Sequence, residues 1–304
     1  MTVQAADPEH LFITAPDGLR LHVCRYGRRS GFPPLVCLPG LTRSTVDFDP
    51  LAMAIANDPD RPRQVLAVDY RGRGQSEYDP NTGNYTIAVE LADLLAVLTA
   101  LEVEPAVFVG TSRGGILAML LATVRPAAIA GVVLNDIGPV IETKGLMRIK
   151  SYVGQLPQPR SFEEGAELLR RLFSAQFPRL DQDQWVAFAR RSFEERDGTL
   201  QPRYDRNLAR LLQSVRPEQP SPTLWKEFDA LMGVPVMVIR GANSDLLSAA
   251  TVEAMRARRP ALDSFEVPDE GHAPLLAESE VIGRIRTFVA ACKSGWRQRG
   301  SPQL

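Results

Sequence analysis

Val107-Phe108-Val109-Gly110-Thr111-Ser112-Arg113-Gly114-Gly115 is an apolar run that stops abruptly at a G-x-S-x-G pattern. The pattern nominates Ser112 as a nucleophile. A serine at the tip of a sharp strand-to-helix turn sits in strained backbone geometry, and side chains two positions to either side would collide with that turn. Glycines at 110 and 114 therefore meet a steric requirement. The context agrees, since a buried-strand pattern precedes the motif and a helical run over residues 116–124 follows it.

The same alternation extends in both directions. Residues 11–26 contain two strand-like runs around Pro16-Asp17-Gly18, a triplet suited to a hairpin reversal. Further apolar runs lie at 34–38, 65–69, 106–109, 131–134, 235–239 and 264–267. The segments between them are long enough for helices, and 87–101 is the most regular. Buried strands alternating with helices predict an α/β fold with a mostly parallel central sheet flanked by helices. In such sheets a site forms beyond the carboxyl ends of the strands. Gly40, Asp69, Ser112, Asp136 and Asp245 all fall at such ends.

Between residues 137 and 234 a stretch of about 95 residues has no clear strand pattern, too long for a plain crossover. It predicts a helical cap at 139–230 inserted into a core made of 1–138 and 231–304, with helices over 163–173 and 184–193. Ten of the 21 aromatic residues fall between Pro139 and Ala230. Most would fill the cap's own interior and a few would reach a substrate. Residues 1–9 and the basic tail from Lys293 are expected to be loose.

Composition excludes several function classes. With 35 basic and 36 acidic residues the net charge is −1, so nothing favours a nucleic-acid partner. No stretch approaches the roughly 18 apolar residues of a membrane span, and the first ten residues carry no secretory pattern, which makes a cytoplasmic protein without a membrane partner the expectation. Cys24, Cys37 and Cys292 are scattered and read as buried free thiols. Gly72-Arg73-Gly74-Gln75-Ser76-Glu77 begins like a dinucleotide fingerprint but has glutamate in place of the third glycine. Three histidines without an H-e-x-x-H spacing leave no expected metal site, and no cofactor is expected. The partner is a small-molecule substrate, and a homo-oligomer is compatible with the composition.

A serine hydroxyl needs a base to remove its proton, most often histidine. His10 lies in the start and His22 in the opening hairpin, whereas His272 sits in Asp269-Glu270-Gly271-His272-Ala273-Pro274, a loop after the last strand-like run. His272 is therefore the expected base. The base needs a carboxylate to fix its tautomer. Asp245, following the strand at 236–239, is the favoured acid. Asp136, after the strand beside the one bearing Ser112, is the alternative acid, or with Asp69 a partner for Arg113 should that side chain enter the site. The developing oxyanion needs two N–H donors, expected from Arg113 and from Leu41 in Leu38-Pro39-Gly40-Leu41-Thr42, where Gly40 would turn the backbone and Thr42 is the fallback.

From these residues the chain resembles the α/β-hydrolase fold superfamily in its capped form. The resemblance rests on the serine motif, the Ser112, Asp245, His272 order and the segment Asp69-Tyr70-Arg71-Gly72-Arg73-Gly74-Gln75-Ser76, and it runs from about residue 11 to 292. The chain departs from many relatives in having Leu38-Pro39-Gly40 where they have His-Gly, and arginine after the nucleophile. The resemblance implies a serine hydrolase cleaving a small, mainly apolar carboxylic ester or lactone through an acyl-enzyme. Relatives with the same triad include carbon–carbon bond hydrolases and enol-lactonases of aromatic degradation. The distant alternative is a non-catalytic ligand-binding protein of this fold. The segment 69–76 is implied to be structural.

Overall fold

The computed structural model describes residues 7–196, 198–219 and 221–292. Strands β1 (Glu9–Thr14) and β2 (Arg20–Tyr26) form an antiparallel hairpin, and β3 (Leu35–Leu38) leads into α1 (Asp49–Ala56). Then follow β4 (Val65–Val68), α2 (Ile87–Ala100), β5 (Ala106–Thr111), α3 (Arg113–Val124) and β6 (Ile129–Asn135). After the long insertion come β9 (Val236–Gly241), α8 (Ala249–Arg258), β10 (Asp263–Val267) and α9 (Ser279–Ala291). The insertion itself holds α4 (Thr143–Tyr152), α5 (Phe162–Phe173), α6 (Gln182–Ser192), the hairpin β7 (Phe193–Arg196) and β8 (Thr199–Pro202), and the short α7 (Trp225–Asp229).

Eight strands make one sheet in the order β1-β2-β4-β3-β5-β6-β9-β10. The β1–β2 and β2–β4 pairs are antiparallel and every other pair is parallel. The inner strands β3, β4, β5 and β6 are buried almost residue for residue, as strands covered on both faces must be. Their side chains alternate between two cores. Val107 and Val109 join Leu51 and Ile55 of α1 and Ile285 and Val289 of α9, while Ala106 and Phe108 join Leu94 of α2 and Leu117 of α3.

Register fixes what meets at the rim. Leu38 pairs with Gly110, Thr111 with Asn135, and Asn135 with Ile239. The loops that follow β3, β5, β6 and β9 consequently leave the sheet side by side.

Within the insertion, hydrogen-bonding caps mark the helix starts read from sequence. Ser161 accepts the Glu164 N–H at α5, and Asp181 with Gln184 forms a reciprocal capping box at α6. The β7–β8 hairpin is a correction, because this stretch shows no strand pattern in the sequence. Its strands are four residues each and alternate poorly, so periodicity had little to detect. The insertion is also not one packing unit. Leu156, Leu169, Phe173, Phe177, Trp185 and Phe188 share a core of their own, whereas Ile149, Val153, Leu208 and Phe228 pack into the core on the α2–α3 side of the sheet.

His10, expected in a loose start, lies instead in β1 and approaches the His22 ring at 2.8 Å. Residues 1–6 and the tail from Lys293 lie outside the described residues. Cys24, Cys37 and Cys292 are free and buried, and burial pushes their thiols up, away from the reactive thiolate form. Among the described residues no helix is long and apolar enough to cross a membrane.

Candidate active site

Ser112 occupies the turn between β5 and α3 with φ +51°, in the left-handed region that non-glycine residues rarely adopt. The turn is held by Ser112 N–H donating to the Asn135 carbonyl at 3.0 Å and by the Gly115 N–H donating to the Ser112 carbonyl at 2.9 Å. The flanking glycines are required by space. A Cβ at Gly114 would stand 2.0 Å from the Leu38 carbonyl oxygen, and one at Gly110 would stand 2.5 Å from the Gly115 nitrogen.

His272 Nε2 lies 2.9 Å from Ser112 Oγ, and His272 Nδ1 lies 2.8 Å from Asp136 Oδ2. The three side chains thus form a continuous hydrogen-bonded line from hydroxyl to imidazole to carboxylate. Asp136 is fully buried at φ +53° immediately after β6. Its carboxylate also accepts the Gly241 N–H at 2.9 Å and the Ser244 hydroxyl at 2.5 Å. Those donors fix the carboxylate in place and aim one oxygen at the imidazole.

Asp245, the favoured acid in the sequence reading, is placed elsewhere. It accepts a bidentate pair from Arg148 of α4, at 2.6 Å from Nε and 2.8 Å from Nη2. Burial acts as the largest influence to raise its pKa, yet the Arg148 hydrogen bonds and charge outweigh it and hold the carboxyl below its ordinary value. Both aspartates sit at strand ends. Their hydrogen-bond partners tell them apart, since Asp136 meets His272 Nδ1 and Asp245 meets the Arg148 fork.

The Arg113 side chain pairs with neither Asp136 nor Asp69. It donates from Nε to Glu90 of α2 at 2.5 Å, and Glu90 is fully buried and also meets Arg73 Nη1 at 2.7 Å. Burial alone would raise the Glu90 pKa, but the Arg73 and Arg113 charges carry it below the ordinary glutamate value. Arg73 in turn donates from Nε to the Leu41 carbonyl at 2.9 Å. One buried carboxylate therefore braces both segments expected to supply the oxyanion donors. The backbone N–H groups of Leu41 and Arg113 have no hydrogen-bond partner among the described residues. Gly40 opens the turn closed by the Arg43 N–H donating to its carbonyl at 3.2 Å, without a positive φ, and a Cβ there would lie 3.3 Å from Arg43 Cγ and 3.8 Å from Ser112 Cβ.

Asp69 accepts the N–H groups of Thr45 at 2.7 Å and Gln75 at 3.0 Å and contacts His22 Nδ1 at 2.7 Å, which ties the loops after β3 and β4 together. Gln176, between α5 and α6, was invisible to motif reading. It accepts the His272 N–H at 2.8 Å and donates to the Asn243 carbonyl at 3.1 Å, linking the insertion to both loops behind the imidazole. Ser244 and Glu90 were missed for the same reason, because their partners are remote in sequence. Among the described residues no three His, Cys, Asp or Glu side chains gather as metal ligands.

Ser112 and His272 open onto a cleft with about 1040 Å³ of empty space, mouth included. The insertion supplies its apolar wall through Tyr152, Leu169, Phe173, Phe177 and Phe188, and Leu41 and Leu275 complete it. Such a shape accepts a small apolar molecule with a few fixed polar contacts.

The alpha/beta hydrolase family matches residues 35–284. A 3-hydroxybutyrate-oligomer hydrolase of Cupriavidus necator is 35% identical over 90% of this chain and 94% of its own length. A 2-(acetamidomethylene)succinate hydrolase of Mesorhizobium japonicum is 28% identical over 87% of this chain and 91% of its own. An alpha/beta hydrolase of Novosphingobium aromaticivorans, known from its crystal structure, superposes with a TM-score of 0.87 at 38% identity, covering 94% of this chain and 99% of that one. Sheet order, serine turn and these similarities agree, and the chain belongs to the alpha/beta hydrolase family.

Proposed function

We propose that the protein is a serine hydrolase that cleaves a small, mainly apolar carboxylic ester by an acyl-enzyme route. The observation that carries this reading is the line from Ser112 Oγ through His272 to Asp136, at the floor of an apolar cleft. In it, Ser112 Oγ attacks the ester carbonyl as His272 Nε2 takes the hydroxyl proton. Asp136 holds Nδ1–H and stabilises the imidazolium. The Leu41 and Arg113 N–H groups hold the oxyanion, the role that a braced pair of unpartnered donors suits. His272 then protonates the departing alkoxide. Water, deprotonated by the same imidazole, releases the acid from Ser112.

The similarity to a 3-hydroxybutyrate-oligomer hydrolase over nearly the full length of both chains favours an ester of a short hydroxy acid within this class. A second reading comes from the relative named for 2-(acetamidomethylene)succinate, a compound without an ester, and it assigns the same triad to a carbon–carbon or other activated non-ester bond.

Activated short-chain esters, 3-hydroxybutyrate dimers, lactones and vinylogous diketones assayed side by side separate the two. The ester reading expects turnover of the first two and a Ser112→Ala loss on the order of 10⁶. A fluorophosphonate probe should label Ser112 and nothing else. Turnover of the diketones alone would move the assignment to the second reading. Failure of every substrate together with no labelling would leave a binding protein of this fold.

A further inference from the structure

The cleft holds a charge that the chemistry above does not use. Arg43 lines it, close to Ser112, because a Cβ added at Gly40 would stand within 4 Å of both Arg43 Cγ and Ser112 Cβ. The guanidinium lies over the Phe188 ring at 4.8 Å, donates from Nη1 to Ser192 Oγ at 2.8 Å and pairs through Nη2 with Asp47. Held this way, the planar fork is already oriented before any ligand arrives.

The anions around it are too few. Asp47 uses one oxygen on the Ser44 N–H at 3.1 Å and the other on Arg43, yet a second cation, Arg191, stands 3.8 Å away. Arg191 donates no side-chain hydrogen bond among the described residues. The other nearby carboxyl, Asp49, takes the Tyr26 hydroxyl. Behind them a single Glu194 serves both Arg196 and Arg203. Four guanidiniums, those of Arg43, Arg191, Arg196 and Arg203, against the three carboxylates of Asp47, Asp49 and Glu194 leave one net positive charge beside an apolar cleft that Arg43 and Asp47 both line, an arrangement costly for a purely apolar ligand and favourable for an anionic one.

We propose that Arg43, backed by Arg191, is the specificity site for a free carboxylate on the substrate. The inference rests on the ester-hydrolase reading and narrows it. The preferred substrate is an ester between hydroxy acids whose terminal carboxylate is ionised. In a linear oligoester that carboxylate belongs to the leaving hydroxy acid, so Arg43 grips the departing half while Ser112 keeps the acyl half. A carboxylate meets the fork through charge-assisted hydrogen bonds, which are stronger than neutral ones.

The test compares a linear 3-hydroxybutyrate dimer as its free acid with the same dimer carrying a terminal primary amide. The two present the same scissile ester. Wild-type enzyme is expected to favour the acid by at least about tenfold in kcat/KM. Arg43→Gln should bring the ratio close to one, and Arg43→Lys, which keeps the charge but loses the fork, should retain part of it. A general loss of activity lowers both rates and does not move the ratio. Equal wild-type rates, a preference for the amide, or a ratio that survives Arg43→Gln overturns the proposal while leaving the ester reading intact. Cleavage of neither dimer by an enzyme that turns over other esters overturns the hydroxy-acid class as well.

Discussion

Two aspartates stand at neighbouring strand ends and have opposite surroundings. Asp136, after β6, is fully buried and gathers neutral donors, the Gly241 N–H on Oδ1 and the Ser244 hydroxyl on Oδ2, the oxygen that also meets His272. Asp245, after β9, is locked by the Arg148 fork of the insertion. A carboxylate that must polarise an imidazole serves best when its other contacts are neutral, because a paired guanidinium would compete for its charge. A carboxylate with its own cation is better suited to fastening one segment to another. Residue type and chain order are the same in both cases, and surroundings separate the roles.

The largest expected effect is on the Asp136 side of the comparison. Asp136→Asn should lower kcat by about 10⁴, because the wrong imidazole tautomer is then favoured. A near-normal rate in a steady-state ester assay would remove Asp136 from the mechanism.

Next in size is the brace behind the Leu41 and Arg113 N–H groups proposed to hold the oxyanion. Glu90→Gln leaves Arg73 and Arg113 without their shared anion and should reduce kcat by about 10- to 100-fold with KM near wild type, since loosened donors act mainly in the transition state. A rise in KM with kcat unchanged would confine the network to shaping the cleft wall. Melting should also shift downward, as breaking a buried charge cluster costs about 3–5 kcal/mol.

Asp245→Asn sharpens the contrast by doing little to chemistry. Its kcat should stay within about threefold of wild type, while thermal unfolding reports a loss of about 2 kcal/mol from the orphaned Arg148. A drop in kcat comparable with that of Asp136→Asn would reverse the assignment of the two acids.

The smallest effect concerns a third carboxyl, Glu270, in the His272 loop. Burial, with help from Glu278 and Asp136, pushes its pKa up to about 7, against the pull of the Leu275 N–H. Folding therefore favours the protonated form. The neutral carboxyl's advantage is complete below its unfolded value of about 4.5 and is lost as pH rises through about 7. Glu270→Gln should match wild type in stability near pH 4 and exceed it by on the order of 2 kcal/mol above pH 8, read from denaturant midpoints. Equal midpoints across that range would show the carboxyl to be solvated.

Much of the fold was legible because its signals are local. Buried strands of four to seven residues at regular intervals give the parallel sheet, and β7–β8 escaped only because two short polar strands carry little periodicity. His272 was legible by its place in a constrained loop after the last strand. Gln176, Ser244 and Glu90 were not, since each acts on a partner at least 23 positions away.

By itself the sequence determined the strand–helix alternation, the serine turn with its glycines and the histidine that serves it, because steric collisions and side-chain periodicity operate within a few residues. Only the tertiary structure decided which aspartate meets His272 and where Arg73 and Arg113 find their shared counter-charge. Those outcomes depend on contacts between remote segments, His272 with Asp136 across 136 positions of chain and Arg148 of the insertion with Asp245 across 97. Electrostatic pairing depends on distance in space, and folding sets that distance.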